Sequence, residues 1–353
     1  MGTQRAGRST AASRAAGSAP AAQAPAPGSV PAAPSAAAGA SRAAPDALAP
    51  VLVITGPTGI GKSRVAAALA RLAPIEIVSA DSGQVYRYLN IGTAKPSPAE
   101  REALPHHGLD LVLPTERYSA GRFARDARGW IADIAARGRM PVVVGGTGFY
   151  LRALFEGLFA EPPLDPARRD RLRAVLTPLG AEGLARWAAR LDRGFKGGGA
   201  QRAARAVEVA LLAGRPLSEL QRSGAPPVPG VSPWYAVLRL PRPQLAERIA
   251  ERTRTMLASG LVDEVRRLLA SNVPQDAPAL ELVGYREVVA FMYGATDEAG
   301  LAEAITTATR QFAKRQETWL RHQLKGPVAW FDAAEEPGAL AEQMLARYRA
   351  ATS

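Results

Sequence analysis

The sequence predicts an α/β fold: a parallel sheet flanked by helices, carrying a P-loop, with a helical segment inserted into it. Three observations carry this. Short apolar runs alternate with helical stretches, the pattern of a doubly wound parallel sheet. A Gly-rich turn follows the first apolar run at once and leads into a helix. Strand signals then vanish over about 161–230, where Arg-rich helical stretches take over, and return after it.

Taken in order, residues 1–48 are almost all Ala, Pro, Ser, Gly and Arg. Such a segment buries too little apolar surface to offset its ordering entropy, so it reads as a disordered low-complexity tail. Its Arg residues and lack of acid before Asp46 resemble a transit peptide, but no amphipathic period is visible and Pro recurs throughout. The folded part begins near Pro50. Val51–Thr55 reads as a buried strand, 62–72 as a helix, and Pro74–Ala80 as a second strand ending at Asp81. Arg122–Arg137 reads as a helix, and Pro141–Val144 as a third strand ending in Gly145-Gly146-Thr147. Tyr235–Leu240 is a further strand, after which helices are expected to the C-terminus, broken at Gly260, Pro274, Pro278, Gly284 and Pro327. The catalytic core is thus 49–160 plus 231–353, and 161–230 is the insertion. In such sheets ligands bind beyond the carboxyl ends of the strands, where Ser63, Asp81 and Thr147 fall.

The 353 residues carry 44 basic and 32 acidic side chains, a net charge of +12, which points to a polyanionic partner; a general Arg bias in composition is the alternative. The absence of Cys excludes disulfides and Cys-based zinc sites and fits a cytoplasmic protein. Three His residues leave little room for a metal cluster, and adjacent His106 and His107 read as structural. No apolar run is long enough to span a membrane.

Gly56-Pro57-Thr58-Gly59-Ile60-Gly61-Lys62-Ser63 matches the P-loop pattern in its strand–loop–helix setting. Glycines let backbone N–H groups point at phosphate oxygens, and the helix N-terminus adds partial positive charge. Lys62 reaches a terminal phosphate, and Ser63 is a candidate Mg²⁺ ligand. Asp81, ending an apolar strand, suits either a general base or a Mg²⁺ ligand. Thr147 could hydrogen-bond an oxygen that gains charge, or simply cap its turn. Leu245, Ile249, Arg252 and Met256 recur on one helical face, so Arg252 points inward. An inward guanidinium needs an anion, either a diphosphate or a core carboxylate.

Arg310, Lys314, Arg321 and Lys325 span roughly 60° of a helix, with Phe312 and Trp319 opposite. The insertion adds Arg168, Arg169, Arg171, Arg173, Gln201, Arg202 and Arg205. This clustering favours an RNA footprint over a diffuse compositional bias, with a solvated helix face as the alternative for the C-terminal stripe.

Further blocks are Ser79-Ala-Asp81-Ser82-x-Gln84-Val85-Tyr86, Ile91-Gly92-Thr93-Ala94-Lys95-Pro96, Val144-Gly145-Gly146-Thr147-Gly148-x-Tyr150, Arg248-Ile249-x-Glu251-Arg252, Val283-Gly284-Tyr285-Arg286 and Lys314-Arg315-Gln316-x-Thr318-Trp319. Together they resemble the bacterial tRNA dimethylallyltransferases. The match runs in order from about residue 50 to 322. The resemblance implies transfer of a dimethylallyl group from dimethylallyl diphosphate to N6 of the adenosine 3′ of the tRNA anticodon, with Mg²⁺ assisting and no ATP consumed. It implies catalytic roles for Asp81, Thr147 and Arg252, with Asp81 as the base. It also implies contact with the tRNA anticodon stem-loop through Asp81, Ser82, Gly83, Gln84 and Thr147. In the insertion, Arg169, Gln201, Arg202, Ala203, Ala204 and Arg205 would share that contact. Glu281, Val283, Gly284, Tyr285, Arg286, Lys314, Arg315, Gln316, Trp319 and Arg321 would complete it. A cytoplasmic monomer is expected. One departure stands out. Gly197-Gly198-Gly199 replaces the Pro- and Asp-containing segment that usually precedes the Gln-Arg of the insertion, and should loosen that entry. Alternatives are a P-loop small-molecule kinase, an adenylate isopentenyltransferase, and an RNA-binding adaptor with a relict P-loop.

Overall fold

The computed structural model describes residues 50–158, 165–222 and 230–352. The tail expected over 1–48 lies outside them, as do 161–164 and 223–229 of the expected insertion.

The described residues build a six-stranded, all-parallel sheet of order β3-β2-β4-β1-β5-β6. In the chain the elements are β1 (Val51–Thr55), α1 (Lys62–Leu69), β2 (Ile75–Ser79), α2 (Pro98–Ala103), β3 (His106–His107), α3 (Ala120–Ala136), β4 (Met140–Val144) and α4 (Gly148–Phe155). Four helices follow, α5 (Pro166–Leu176), α6 (Gly180–Leu191), α7 (Ala200–Ala213) and α8 (Leu217–Arg222). Then come β5 (Pro233–Arg239), α9 (Arg242–Ala258), α10 (Leu261–Ala270), α11 (Tyr285–Met292), α12 (Glu298–Gln323), β6 (Val328–Asp332) and α13 (Pro337–Thr352).

Both faces of the sheet are covered, so strands read as continuous apolar runs. Alternate residues still go to opposite sides. Val51 and Val53 join one core with α3, α4, α10 and α11, and Leu52 and Ile54 join another with α1 and α13. Helices α5 to α8 bury a separate small core around Leu184, Ala188, Ala203 and Val207.

Two strands depart from expectation. Val328–Asp332 follows Pro327 not as helix but as an edge strand in register with β5, from Tyr235↔Val328 to Arg239↔Asp332. Phe331 drives this, because it is the residue of that strand buried in the core shared with α13. Two-residue β3 pairs with β2 at Ile77↔His106 and is too short to show a period. The strand at 140–144 is therefore fourth in the chain and sits between β2 and β1.

That insertion of β4 brings three strand ends together. Ala80 N–H donates to Val144 O at 2.8 Å, Gly145 N–H to Ile54 O at 3.2 Å, and Thr147 N–H to Ala80 O at 3.2 Å. The approach is close enough that a Cβ on Gly145 would lie 2.2 Å from the Ala80 carbonyl oxygen. Backbone cannot yield as a flexible side chain can, so Gly145→Ala should cost ~3 kcal/mol, the upper range of overpacking. A fall in the urea midpoint checks this, and an unchanged midpoint would show that the strand ends can part.

Candidate active site

The loop after β1 is held in a phosphate-ready shape. Gly56, Gly59 and Gly61 all have positive φ, 154°, 79° and 103°. Among the described residues, the N–H groups of Gly59, Ile60 and Gly61 make no hydrogen bond within the chain. α1 starts at Lys62 with no acidic residue in its first turn, so its positive end faces outward unopposed. Lys62 Nζ donates to Gly56 O and Pro57 O, both at 2.9 Å, folding the side chain back over the loop.

The loop opens into a cavity of about 580 Å³ at the carboxyl ends of β1, β2 and β4. Lys62, Asp81, Thr147 and Arg252 line it together. Asp81 follows β2, and its Oδ1 accepts from Gly83 N–H at 2.8 Å. Thr147 precedes α4, and its hydroxyl oxygen accepts from Ser82 N–H at 3.0 Å. That bond crosses between two strand ends rather than capping its own turn, and it fixes Thr147 beside the Asp81 loop. Arg252 lies on α9, whose Leu245 and Ile249 are buried, as the spacing required. Among the described residues its guanidinium has no ion pair, so the expected alternative of a core carboxylate partner is not met. Burial lowers its affinity for its proton, and nearby Asp81 opposes that.

Burial pulls the Lys62 ammonium from an ordinary 10.5 down to about 8; Asp81 opposes the shift and Arg252 adds to it. Between those values the unfolded chain holds more protons than the folded one, so the Lys62 contribution makes the empty protein more stable as pH rises from about 8. A bound anion restores the proton. Binding of inorganic diphosphate should therefore take up protons above pH 8 and weaken as pH rises further. Calorimetry at pH 9 in buffers of different ionisation enthalpy reads this directly, and identical heats would contradict it.

The outer wall of the cavity comes from distant segments. Gln201 at the start of α7, Glu281, Val283 and Arg286 near the start of α11, and Arg315 on α12 stand at its rim. Met256, Leu282 and Phe312 add apolar surface.

Several residues expected to face RNA also make bonds or contacts inside the chain. Gln316 Oε1 accepts from Thr58 N–H and its Nε2 donates to Gly146 O, both at 2.8 Å, so it clamps the P-loop to the turn after β4. Gln84 accepts from the Ser79 hydroxyl at 2.8 Å and donates to Thr93 O and Ala94 O at 3.3 Å. Tyr285 is fully buried, its hydroxyl donating to Glu264 at 2.6 Å. Ala203 is fully buried in the core of the inserted helices, and Ala204 packs against it. Trp319 lies against Gly148. Arg169, Arg173 and Arg205 converge on buried Glu208, while Arg202 is exposed.

Side chains of α12 reach three separate places. Thr309, Phe312 and Gln316 face the cavity. Arg310 and Lys314 line a separate groove against α9, and Arg321 a third beside β5 and β6. Lys325 leaves the stripe, because the helix ends at Gln323 and Lys325 pairs with Glu156 at 2.9 Å. Ser63 is exposed on α1, outside the cavity lining. His106 and His107 are structural, bonded to Leu104 O and Glu76. Gly199 caps α7 without a side-chain bond, after Gly197 and Gly198 at φ 80° and 138°.

Sequence reasoning missed Glu264, although Leu261, Glu264, Val265 and Leu268 share one buried face of α10 by the same spacing that flagged Arg252. It also missed the clamp made by Gln316, which depends on a contact between residues 258 apart in the chain.

This arrangement is similar to known proteins. The family model described as IPP transferase matches residues 84–323, and that for isopentenyl transferase matches 49–109. A tRNA dimethylallyltransferase of Halorhodospira halophila is 46% identical over 284 residues, covering 79% of this chain and 92% of that protein. One from Methylibium petroleiphilum is 44% identical over 313 residues, covering 85% and 96%. The crystal structure of the tRNA isopentenylpyrophosphate transferase of Bacillus halodurans superposes with a TM-score of 0.62 at 28% identity, over 86% of this chain and 98% of that one. A eukaryotic dimethylallyltransferase acting on tRNA gives 0.65 at 26% identity, over 81% and 74%. With a family model spanning most of the described residues, relatives matched along nearly their whole length, and the P-loop, Asp81, Thr147 and Arg252 gathered in one cavity, the chain belongs to the IPP transferase family.

Proposed function

We propose that this protein transfers a dimethylallyl group from dimethylallyl diphosphate to N6 of the adenosine 3′ of the tRNA anticodon, releasing diphosphate. The observation that carries the reading is the single cavity in which Lys62, Asp81 and Arg252 lie at the inner end and Gln201, Arg286 and Arg315 at the rim. A phosphate-binding loop and the polar groups of Gln201, Arg286 and Arg315 in one space suit a small anionic donor and a large RNA acceptor.

The P-loop N–H groups, Lys62 and the unpaired Arg252 hold the diphosphate. The target base leaves its stack and enters from the rim, as an exocyclic amine within a structured RNA must. Its nitrogen attacks the allylic carbon, the carbon–oxygen bond breaks, and the electron pair goes to the diphosphate. Asp81 orients the amine and accepts its proton. Lys62, Arg252 and the Thr147 hydroxyl stabilise the charge that gathers on the leaving oxygen. Among the described residues no cluster of three His, Asp or Glu could hold a metal by itself. Mg²⁺ would need no such cluster, since it keeps most of its water and binds through substrate phosphates and one or two protein oxygens. Ser63, exposed in the first turn of α1 next to Lys62, would be the protein oxygen offered to such an ion, which would neutralise diphosphate charge.

Residues 161–230 form the RNA-binding insertion in this reading, and the protein works as a cytoplasmic monomer. Among the described residues no helix is long and apolar enough to cross a membrane. The rim groups argue against the adenylate-directed and kinase alternatives, since a free nucleotide needs neither Gln201 nor Arg315. The test is to incubate the protein with labelled dimethylallyl diphosphate, Mg²⁺ and unmodified tRNA, with AMP in parallel. Label is expected in tRNA; label in AMP alone would overturn the assignment.

A further inference from the structure

Glu264 sits in the first turn of α10, 4% exposed, with its carboxylate saturated by two separate segments. Oε2 accepts from the N–H groups of Asn90 and Ile91, both at 2.9 Å, and Oε1 from Gly92 N–H at 3.4 Å. The Tyr285 hydroxyl donates to Oε1 at 2.6 Å. Burial together with Glu264 pushes that phenol well above its usual range. A buried carboxylate with four donors is too costly to leave unpartnered, so the two segments are locked together.

Each segment leads to one wall of the cavity. The turn at 90–94 is gripped by the Gln84 side chain, which donates to Thr93 O and Ala94 O and accepts from Ser79 at the end of β2. Asp81 lies between Ser79 and Gln84, tied to Gly83 N–H. Tyr285 opens α11 beside Val283 and Arg286 at the rim. Glu264 therefore stands between the carboxylate that works on the target amine and the wall past which the RNA base must enter. It does not line the cavity itself.

We propose that Glu264 is a positioning residue for the acceptor base: through the 90–94 turn and Tyr285 it sets the separation between the Asp81 loop and the rim segment at 281–286. The proposal rests on the tRNA-prenylation reading. It predicts that loosening this link misplaces the acceptor while leaving the donor site, built on β1, α1 and α9, as it was. An error of about 1 Å in placing reacting groups is enough to cost on the order of 100-fold in rate.

The experiment compares Glu264→Gln and Tyr285→Phe with the parent chain, using an unmodified anticodon stem-loop RNA and labelled dimethylallyl diphosphate, with turnover normalised to active sites titrated in a single-turnover burst. Tyr285→Phe removes one hydroxyl and serves should the Gln variant fold poorly. The expected result is a kcat lowered ~10–100-fold in Glu264→Gln and ~3–10-fold in Tyr285→Phe, with KM for the diphosphate donor within about 2-fold of the parent. Inorganic diphosphate should inhibit both variants as it inhibits the parent. A normal kcat per titrated site would reduce Glu264 to a stabilising residue and overturn the proposal, as would a donor KM rising in step with the loss of kcat. Failure of the parent chain to prenylate RNA would instead refute the function on which the proposal rests.

Discussion

Asp81→Asn should lower turnover by about 10²–10⁴-fold, the usual contribution of a positioned acid–base group, while tRNA affinity stays within a few-fold. The substitution keeps the size of the side chain and leaves an oxygen to accept from Gly83 N–H, so the loop after β2 should hold its shape. What is lost is the acceptor for the proton of the attacking amine. An adenine N6 amine is a weak nucleophile because its lone pair is delocalised into the ring, so the barrier depends on drawing that proton away as the bond forms. Lys62 and Arg252 flank Asp81 closely enough to interact with it electrostatically. Bound diphosphate satisfies both cations and frees the carboxylate to serve the amine. The check is single-turnover prenylation at saturating donor and RNA, alongside filter binding of the RNA. A normal rate would refute the base assignment.

Arg252→Ala has the second large effect. The guanidinium projects from an otherwise apolar face of α9 into the cavity, near Asp81 but without a salt bridge among the described residues. In the proposed reaction it would meet an anion whose charge increases as the carbon–oxygen bond breaks. Removing one such preorganised donor typically costs ~10²–10³ in rate. KM for dimethylallyl diphosphate should rise together with the fall in kcat, because ground state and transition state both carry phosphate charge. Inhibition by inorganic diphosphate should weaken in parallel. Arg252→Lys should recover only part of the loss, since an ammonium cannot form two parallel bonds to a phosphate. Unchanged kcat and KM would remove Arg252 from the mechanism.

Local chemistry was legible in the sequence, and long-range contacts were not. The P-loop, the strand ends at Asp81 and Thr147, and the inward turn of Arg252 all follow from spacing within a few residues, and each lies where that spacing put it. The edge strand β6 was hidden because five residues after a Pro-containing turn carry too little pattern to be told from a frayed helix. The basic stripe on α12 holds as a helical face for Arg310, Lys314 and Arg321 but loses Lys325, which lies beyond the helix end, and a single helix does not say what lies on either side. In the fold Arg315 turns to the cavity, whereas Lys314 and Arg321 turn to other grooves. Gln84, Tyr285 and Gln316 show the same limit from the other direction. Their polar groups invite an RNA partner on paper, yet in the fold each is satisfied by a backbone or side-chain partner within the chain. Tyr285 and Gln316 nevertheless line the cavity.

The loop from Gly56 to Ser63 is proposed to cradle a leaving group, although the same pattern elsewhere holds a nucleoside triphosphate. The most direct test counts products in one vessel. Unmodified tRNA, dimethylallyl diphosphate, Mg²⁺ and ATP are incubated with the protein, and prenylated tRNA, free diphosphate and ADP are measured over the same interval. One diphosphate released for each prenyl group transferred, with no ADP formed and the same rate when ATP is omitted, is the predicted result. Prenyl transfer that stops without ATP, or ADP formed in step with product, would contradict it.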